Sequence, residues 1–338
     1  MKSTGLFSSS LWLLCLISVV GAVACLPVNA GMPTLAALAA TPPLQAATRT
    51  PDATPAQPTT LPPTPTRTPR PTWTVTPSPT ATPLCAGAGR VASGIYTSLV
   101  DGPQRRFRVY LPPCYGEDGR VYPVLYLLHG NGQDEGTWDQ VGVDEAADAG
   151  ILARTLPPMI IIMPAGGWAM YYTSGGPGSF ESVIMDDLIP AIEADYCAWA
   201  TPAGRAIGGI SRGGYWALEI AFRHPADFAG VGGHSAALLD TYAGPNLNPQ
   251  YTGVNNALGD LRVYLDAGEG DLGVLPNLER LHEDLENAGI PHEWHLNPGD
   301  HSETYWSDQV SNYLAWYAAP WSPDRQQYPP CAQKSQAP

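Results

Sequence analysis

Gly209-Ile210-Ser211-Arg212-Gly213 sets a hydroxyl between two glycines in the pattern G-x-S-x-G. A serine becomes a good nucleophile only when a base takes its proton and a sharp bend exposes its oxygen. Glycine two positions to either side removes the Cβ atoms that would collide in such a bend. Arg205-Ala206-Ile207-Gly208 reads as a strand running into the turn, and Tyr215 to Phe222 (YWALEIAF) as a helix running out of it. That strand–turn–helix setting is what the motif requires, and its chemistry is acyl transfer through a covalent intermediate on Ser211.

Such a serine needs a base, an acid to orient the base, and two N–H donors for the oxyanion. Of seven histidines, His301 is the expected base. It lies in Asn297-Pro298-Gly299-Asp300-His301-Ser302, a loop between the last predicted strand and the last predicted helix, where an imidazole can serve both nucleophile and leaving group. His292 and His295 fall in a predicted strand, three apart and so on opposite faces. His224 ends the helix after the serine, and His282 sits on an amphipathic helix. His234, beside Ser235, either lines the pocket or, the preferred reading, is a hydrogen-bonded structural imidazole. The acid should fall between Ser211 and the base, after a strand. Leu265-Asp266-Ala267-Gly268-Glu269-Gly270-Asp271 offers three carboxylates. Asp271, beyond a glycine-containing turn, is preferred; Asp266 at the strand end stays open, and Glu269 ranks third. The oxyanion donors are expected to be the backbone amides of Asn131, in Leu127-Leu128-His129-Gly130-Asn131-Gly132, and of Arg212. His129 is expected to shape that loop rather than to move protons.

These groups need a scaffold with strand ends along one edge. Short apolar runs at 106–111, 124–128, 159–163, 206–210, 229–233, 261–265 and 292–296 alternate with amphipathic stretches at 182–195, 212–223, 274–288 and 303–318. Such alternation implies an α/β fold with a doubly wound, mostly parallel sheet. Strands 106–111 and 124–128 read as neighbours joined by a turn at Gly116 to Gly119, forming an antiparallel N-terminal edge. The reading needs no cofactor and no metal.

Composition divides the 338 residues unevenly. Leu11 to Ala24 is an apolar run behind Lys2, too short to span a bilayer comfortably, so residues 1–24 read as an export signal. Cys25 follows small residues in the manner of a lipidation site, which would hold the protein at the cell surface by a lipid anchor; the alternative is ordinary cleavage after a small residue, which would leave it extracellular. Residues 25–84 hold a Thr/Pro-rich stretch that cannot bury enough apolar surface to order itself, and at about 3.1 Å per residue its polyproline portion would reach on the order of 100 Å. Residues 85–331 form the expected globular domain and 332–338 a tail. The whole chain carries −14; four cations and one aspartate precede residue 85, which leaves −17 for the rest. That charge disfavours nucleic acid as a partner and leaves a small or polysaccharide-borne ester as the expected one. Four cysteines in an exported domain suggest two disulfides, with Cys85–Cys331 tying the ends together and Cys114–Cys197 as the complement.

The ordered series Val109-Tyr110-Leu111-Pro112, Tyr122 to Gly130 (YPVLYLLHG) with Trp138, Asp187-Leu188-Ile189-Pro190, the turn at Ser211 with its extra Gly214, His224-Pro225 with Phe228, the Gly268-to-Asp271 turn and His301 with Trp306 resembles the esterase family of α/β-hydrolases. That family includes feruloyl and acetylxylan esterases, S-formylglutathione hydrolase, enterochelin esterases and mycolyltransferases. The resemblance covers about residues 95–318 and implies an α/β-hydrolase that cleaves carboxylic esters through Ser211, His301 and an aspartate. By analogy it suggests polysaccharide-linked esters, with acyl transfer to a sugar or lipid acceptor and a non-catalytic binding role as alternatives. Two departures stand out. Many members have Met after the nucleophile where this chain has Arg212, whose guanidinium either favours an acidic substrate group or points outward. Ala236 to Gly259 looks inserted, and with Trp168 to Phe180 it is expected to wall the pocket.

Overall fold

A computed structural model describes residues 87–332. The expected export signal, Cys25, the 25–84 segment, Cys85 and all but the first residue of the tail lie outside the described residues. Eight strands form one sheet: β1 (Arg90–Ser98), β2 (Gly102–Leu111), β3 (Val124–Leu128), β4 (Ile160–Pro164), β5 (Arg205–Ile210), β6 (Gly230–His234), β7 (Arg262–Gly268) and β8 (Glu293–Asn297). Their order across the sheet is β1-β2-β4-β3-β5-β6-β7-β8. From β4 to β8 every pairing is parallel, while β1 and β2 run antiparallel to their neighbours.

The antiparallel N-terminal edge is therefore present, but not with the expected partners. The strand at 106–111 does not pair with 124–128; β2 pairs with β1 on one side and β4 on the other. Burial explains the swap. All five residues of β3 and all five of β4 are buried, so each needs a strand on both sides. The Arg-rich start of β2 is partly exposed and suits a place near the edge. The β1 strand was not legible, because its pattern is weakly apolar and half exposed and its main support is the ladder with β2.

Side chains alternate across each strand, so the two faces carry separate cores. Val124, Tyr126 and Leu128 of β3 join the cluster under the helices Arg212–Arg223 and Leu275–Asn287. Leu125 and Leu127 join the other cluster, which takes in Val143 and Ala147 of the helix Val143–Leu152 and the aromatic face of the helix Glu303–Ala318. The amphipathic stretch at 182–195 is helical but passes through a π turn at Val183–Leu188 before Ile189–Asp195. Pro190, with no N–H to offer a carbonyl four residues back, follows directly on that change of register.

Neither expected disulfide forms. Cys331 bonds to Cys197, at a Cα–Cα distance of 5.5 Å, and Cys114 is itself disulfide-bonded. The C-terminal segment causes the change: Val121 N–H donates to Pro329 C=O, Cys331 N–H donates to Gly119 C=O, and Tyr122 N–H donates to Cys197 C=O. Residues 119–122 thus hold Cys331 on one side and Cys197 on the other, which excludes Cys85–Cys331 and Cys114–Cys197.

Candidate active site

Strand β5 ends at Ile210, and the next residue turns sharply into the helix Arg212–Arg223. Ser211 sits there at φ 54°, ψ −116°, a left-handed conformation that a serine rarely adopts. Its backbone is fixed from both directions: its N–H donates to His234 C=O at 2.9 Å, and its C=O accepts from Ala237 N–H at 2.9 Å. The flanking glycines are forced by close backbone approach. A Cβ at Gly209 would fall 2.4 Å from the Gly213 carbonyl group, and one at Gly213 would fall 2.3 Å from Leu128 O.

His301 Nε2 lies 2.9 Å from Ser211 Oγ, and His301 Nδ1 lies 2.6 Å from Asp271 Oδ2. Two loops at the ends of β7 and β8 make this meeting possible. Glu269 N–H donates to Asn297 C=O at 2.8 Å and Gly270 N–H to Gly299 C=O at 2.7 Å, so the loops are laced together by their backbones. A Cβ on Gly268 would stand 2.5 Å from Gly299 O, too close for any side chain. The Trp306 ring meets the His301 imidazole edge to face at 5.1 Å and supports it from the last helix. Asp271 is buried, whereas the His301 side chain keeps 35% exposure toward the cleft.

Of the remaining carboxylates in that turn, Asp266 points elsewhere. It is fully buried and bonded to His234 Nδ1 at 2.7 Å, Tyr305 OH at 2.6 Å and Tyr313 OH at 2.7 Å, while Tyr317 OH lies 2.9 Å from His234 Nε2. Burial next to this carboxylate drives the Tyr305 and Tyr313 hydroxyls far above the ordinary tyrosine range, so both stay protonated as donors. His234 is accordingly a satisfied internal imidazole. Residues 305, 313 and 317 share one helix face, and that spacing was the available signal for this network.

The loop after β3 is held by His129. Its Nδ1 faces Gly130 C=O at 2.8 Å and its Nε2 accepts from Gly166 N–H at 2.8 Å, which fixes the neutral tautomer with the proton on Nδ1. Desolvation lowers its pKa and favours the same neutral form. Gly130 C=O and Asn131 N–H belong to one peptide, so holding the carbonyl toward His129 turns the N–H the opposite way. Gln133, which the sequence did not single out, accepts from Gly130 N–H at 2.7 Å and donates to Glu303 at 3.0 Å. Arg212 N–H, at the first position of its helix, has no intrahelical acceptor.

A cleft of about 550 Å³ opens beside His301, walled by Ala237, Leu239 and Tyr242 on one side and by residues 270–274 on the other. The stretch Ala236 to Gly259 thus supplies one wall. The stretch from Trp168 to Phe180 does not line this cleft; it packs behind Arg212. That guanidinium neither points outward nor lies free for an acid, because Nε donates to Met170 C=O at 2.7 Å and Nη2 to Tyr171 C=O at 2.9 Å. Among the described residues no three His, Cys, Asp or Glu side chains converge to hold a metal ion.

Residues 100–317, more than half of the chain, match the family model described as "Putative esterase". The chain belongs to this esterase family. An esterase of Mycobacterium tuberculosis is 32% identical over 241 residues, covering 57% of this chain and 51% of the relative. An endo-1,4-beta-xylanase/feruloyl esterase of Xylanibacter ruminicola is 33% identical over 150 residues, covering 41% of this chain and 20% of that one. The chain spans about half the length of the mycobacterial esterase. Among solved structures, a ferulic acid esterase superposes with a TM-score of 0.63 at 24% identity, covering 70% of this chain and 99% of the other. An S-formylglutathione hydrolase from Staphylococcus aureus gives 0.59 at 19% identity, covering 69% and 100%. These likenesses show the α/β-hydrolase fold.

Proposed function

We propose that this esterase-family protein is an exported serine hydrolase that cleaves carboxylic esters through an acyl-enzyme on Ser211, with His301 as base and Asp271 as the orienting acid. The observation that carries the reading is the continuous relay of 2.9 Å from Ser211 Oγ to His301 and 2.6 Å from His301 to Asp271, starting at a left-handed serine. His301 Nε2 takes the hydroxyl proton as Ser211 Oγ attacks the ester carbonyl. The N–H groups of Asn131 and Arg212 receive the oxyanion. As the tetrahedral intermediate collapses, the alcohol leaves with the proton from His301. Water, deprotonated by the same imidazole, then attacks the acyl-enzyme and releases the acid and Ser211.

In this reading residues 1–24 direct export, Cys25 is the lipid attachment point, residues 25–84 are a spacer, and 85–331 are the catalytic domain. The Cys197–Cys331 disulfide supports an oxidising compartment. The feruloyl esterase and xylanase names among the relatives support polysaccharide-linked esters as substrates. The test compares the wild-type protein with Ser211→Ala on a nitrophenyl acetyl ester and on a feruloylated oligosaccharide. The variant should lose at least about 10⁴-fold in kcat. Equal rates for the two proteins would defeat the proposal.

A further inference from the structure

The Arg212 side chain leaves the residue next to the nucleophile and crosses to a different part of the chain. Besides its two hydrogen bonds to the carbonyls of Met170 and Tyr171, its Cζ lies 4.5 Å from the Tyr242 ring centroid and 5.6 Å from that of Tyr171. Tyr242 lines the cleft that contains His301. The neighbours of Arg212 on the same helix strengthen the crossing. Trp216 Nε1 donates to Met170 C=O at 3.0 Å, Tyr215 OH donates to Ser174 C=O at 2.9 Å, and the Tyr215 ring meets Tyr242 edge to face at 5.2 Å.

A guanidinium is planar, so its edge can bond two carbonyls while its face covers an aromatic ring. Arg212 uses both surfaces at once. The edge grips Met170 and Tyr171 at the end of the helix Gly167–Tyr172, and the face supports Tyr242 in the 236–259 stretch. Methionine, of similar reach, has neither the donors for the edge nor the charge for the face. We infer that the Arg212 side chain is a positioning residue for specificity: it latches the 170–174 segment to Tyr242 and thereby sets the shape of the cleft that discriminates among acyl groups by size. The inference rests on the ester-hydrolase reading for its kinetic consequence, but the latch itself is a matter of structure.

The full chain as wild type, Arg212→Met, Arg212→Lys, Tyr242→Ala and the double variant Arg212→Met/Tyr242→Ala would be assayed on nitrophenyl acetyl, benzoyl and hemisuccinyl esters. Hydrogen exchange would be followed in residues 170–174 and 237–243. For Arg212→Met, the ratio of kcat/KM for benzoyl to that for acetyl should shift at least fivefold, chiefly through KM. Tyr242→Ala should give the same shift and the double variant no more than either alone, because both remove one coupling. Arg212→Lys should recover part of the ratio. Exchange in both segments should accelerate in Arg212→Met. Uniform loss on all esters with unchanged exchange would overturn the latch. Selective loss on the anionic hemisuccinyl ester would overturn it too, and would assign Arg212 to direct binding of an acid. If the wild type hydrolyses none of the esters, the ester-hydrolase reading fails, and the exchange measurement still decides the latch.

Discussion

Asp266 and His234 face each other across neighbouring strands at 2.7 Å, with neither side chain reaching solvent. Five residues further on, Asp271 makes a similar pair with His301 at the cleft. One turn of chain thus supplies the aspartates of two histidine–aspartate pairs of different purpose. Breaking the buried pair by Asp266→Asn should cost about 3–5 kcal/mol in denaturant melts, because His234, Tyr305 and Tyr313 lose the carboxylate that satisfies them. Asp271→Asn should lower kcat by about 10³–10⁴-fold with a smaller effect on stability. The opposite result in the two variants would transfer the acid role to Asp266.

His129 contributes a pH dependence. Burial lowers its pKa below the ordinary imidazole value of about 6.5, so the folded protein holds the neutral ring. Between its folded pKa and 6.5 the unfolded chain binds the extra proton. Its share of stability is therefore full above about pH 6.5 and is lost as pH falls through that window. His129→Gln should flatten that part of the curve of stability against pH. It should also lower kcat, because the Gly130–Asn131 peptide loses its anchor. An unchanged slope in urea melts from pH 7 to pH 5 would count against this.

Glu219 acts in the opposite sense. It is fully buried beside Glu181, and desolvation with that neighbouring carboxylate outweighs Arg223 at 3.3 Å to hold its pKa well above 4.5. The folded state keeps a proton that the unfolded state releases, so this contribution is present below pH 4.5 and declines as pH rises. Glu219→Gln, which cannot ionise, should match the wild type at pH 4 and melt about 2–4 °C higher at pH 8. Calorimetry at the two pH values tests this, and a lower melting temperature for the variant at pH 8 would contradict it.

Gly213→Ala tests the turn that carries the nucleophile. The added methyl would meet backbone oxygens of Leu128 and His129 at 2.3 and 2.5 Å, neither of which can move like a flexible side chain. The expected cost is at least about 1–3 kcal/mol, with activity falling alongside as Ser211 is displaced. A variant with wild-type melting and turnover would rule out so tight a packing.

Cys197 and Cys331 close a loop of 134 residues. Cys331→Ser should destabilise the domain by about 2–5 kcal/mol under oxidising conditions, and adding reductant to the wild type should reproduce the loss. Mass mapping of non-reduced peptides should recover the 197–331 pair and neither pair expected from the sequence.

The local chemistry was legible in the sequence because short spacing encodes local geometry. Two glycines around Ser211, with a strand pattern before them and a helix pattern after, mark a cramped turn, and the short all-apolar runs at 124–128 and 159–163, the latter bounded by prolines, mark strands covered on both faces. His301 stood out because it follows the last strand on a loop. Tertiary structure alone decided which groups met. Pairing of Gly268 with Asn297 in the β7–β8 ladder sets the two following loops side by side, which brings Asp271 to His301 and leaves Asp266 to the tyrosines. The same holds for β4 entering between β2 and β3, for Cys331 reaching Cys197, and for the Arg212 guanidinium joining the Met170 and Tyr171 carbonyls to Tyr242. Each joins residues distant in the chain, and such contacts depend on strand order and register, which residue types within one segment do not specify.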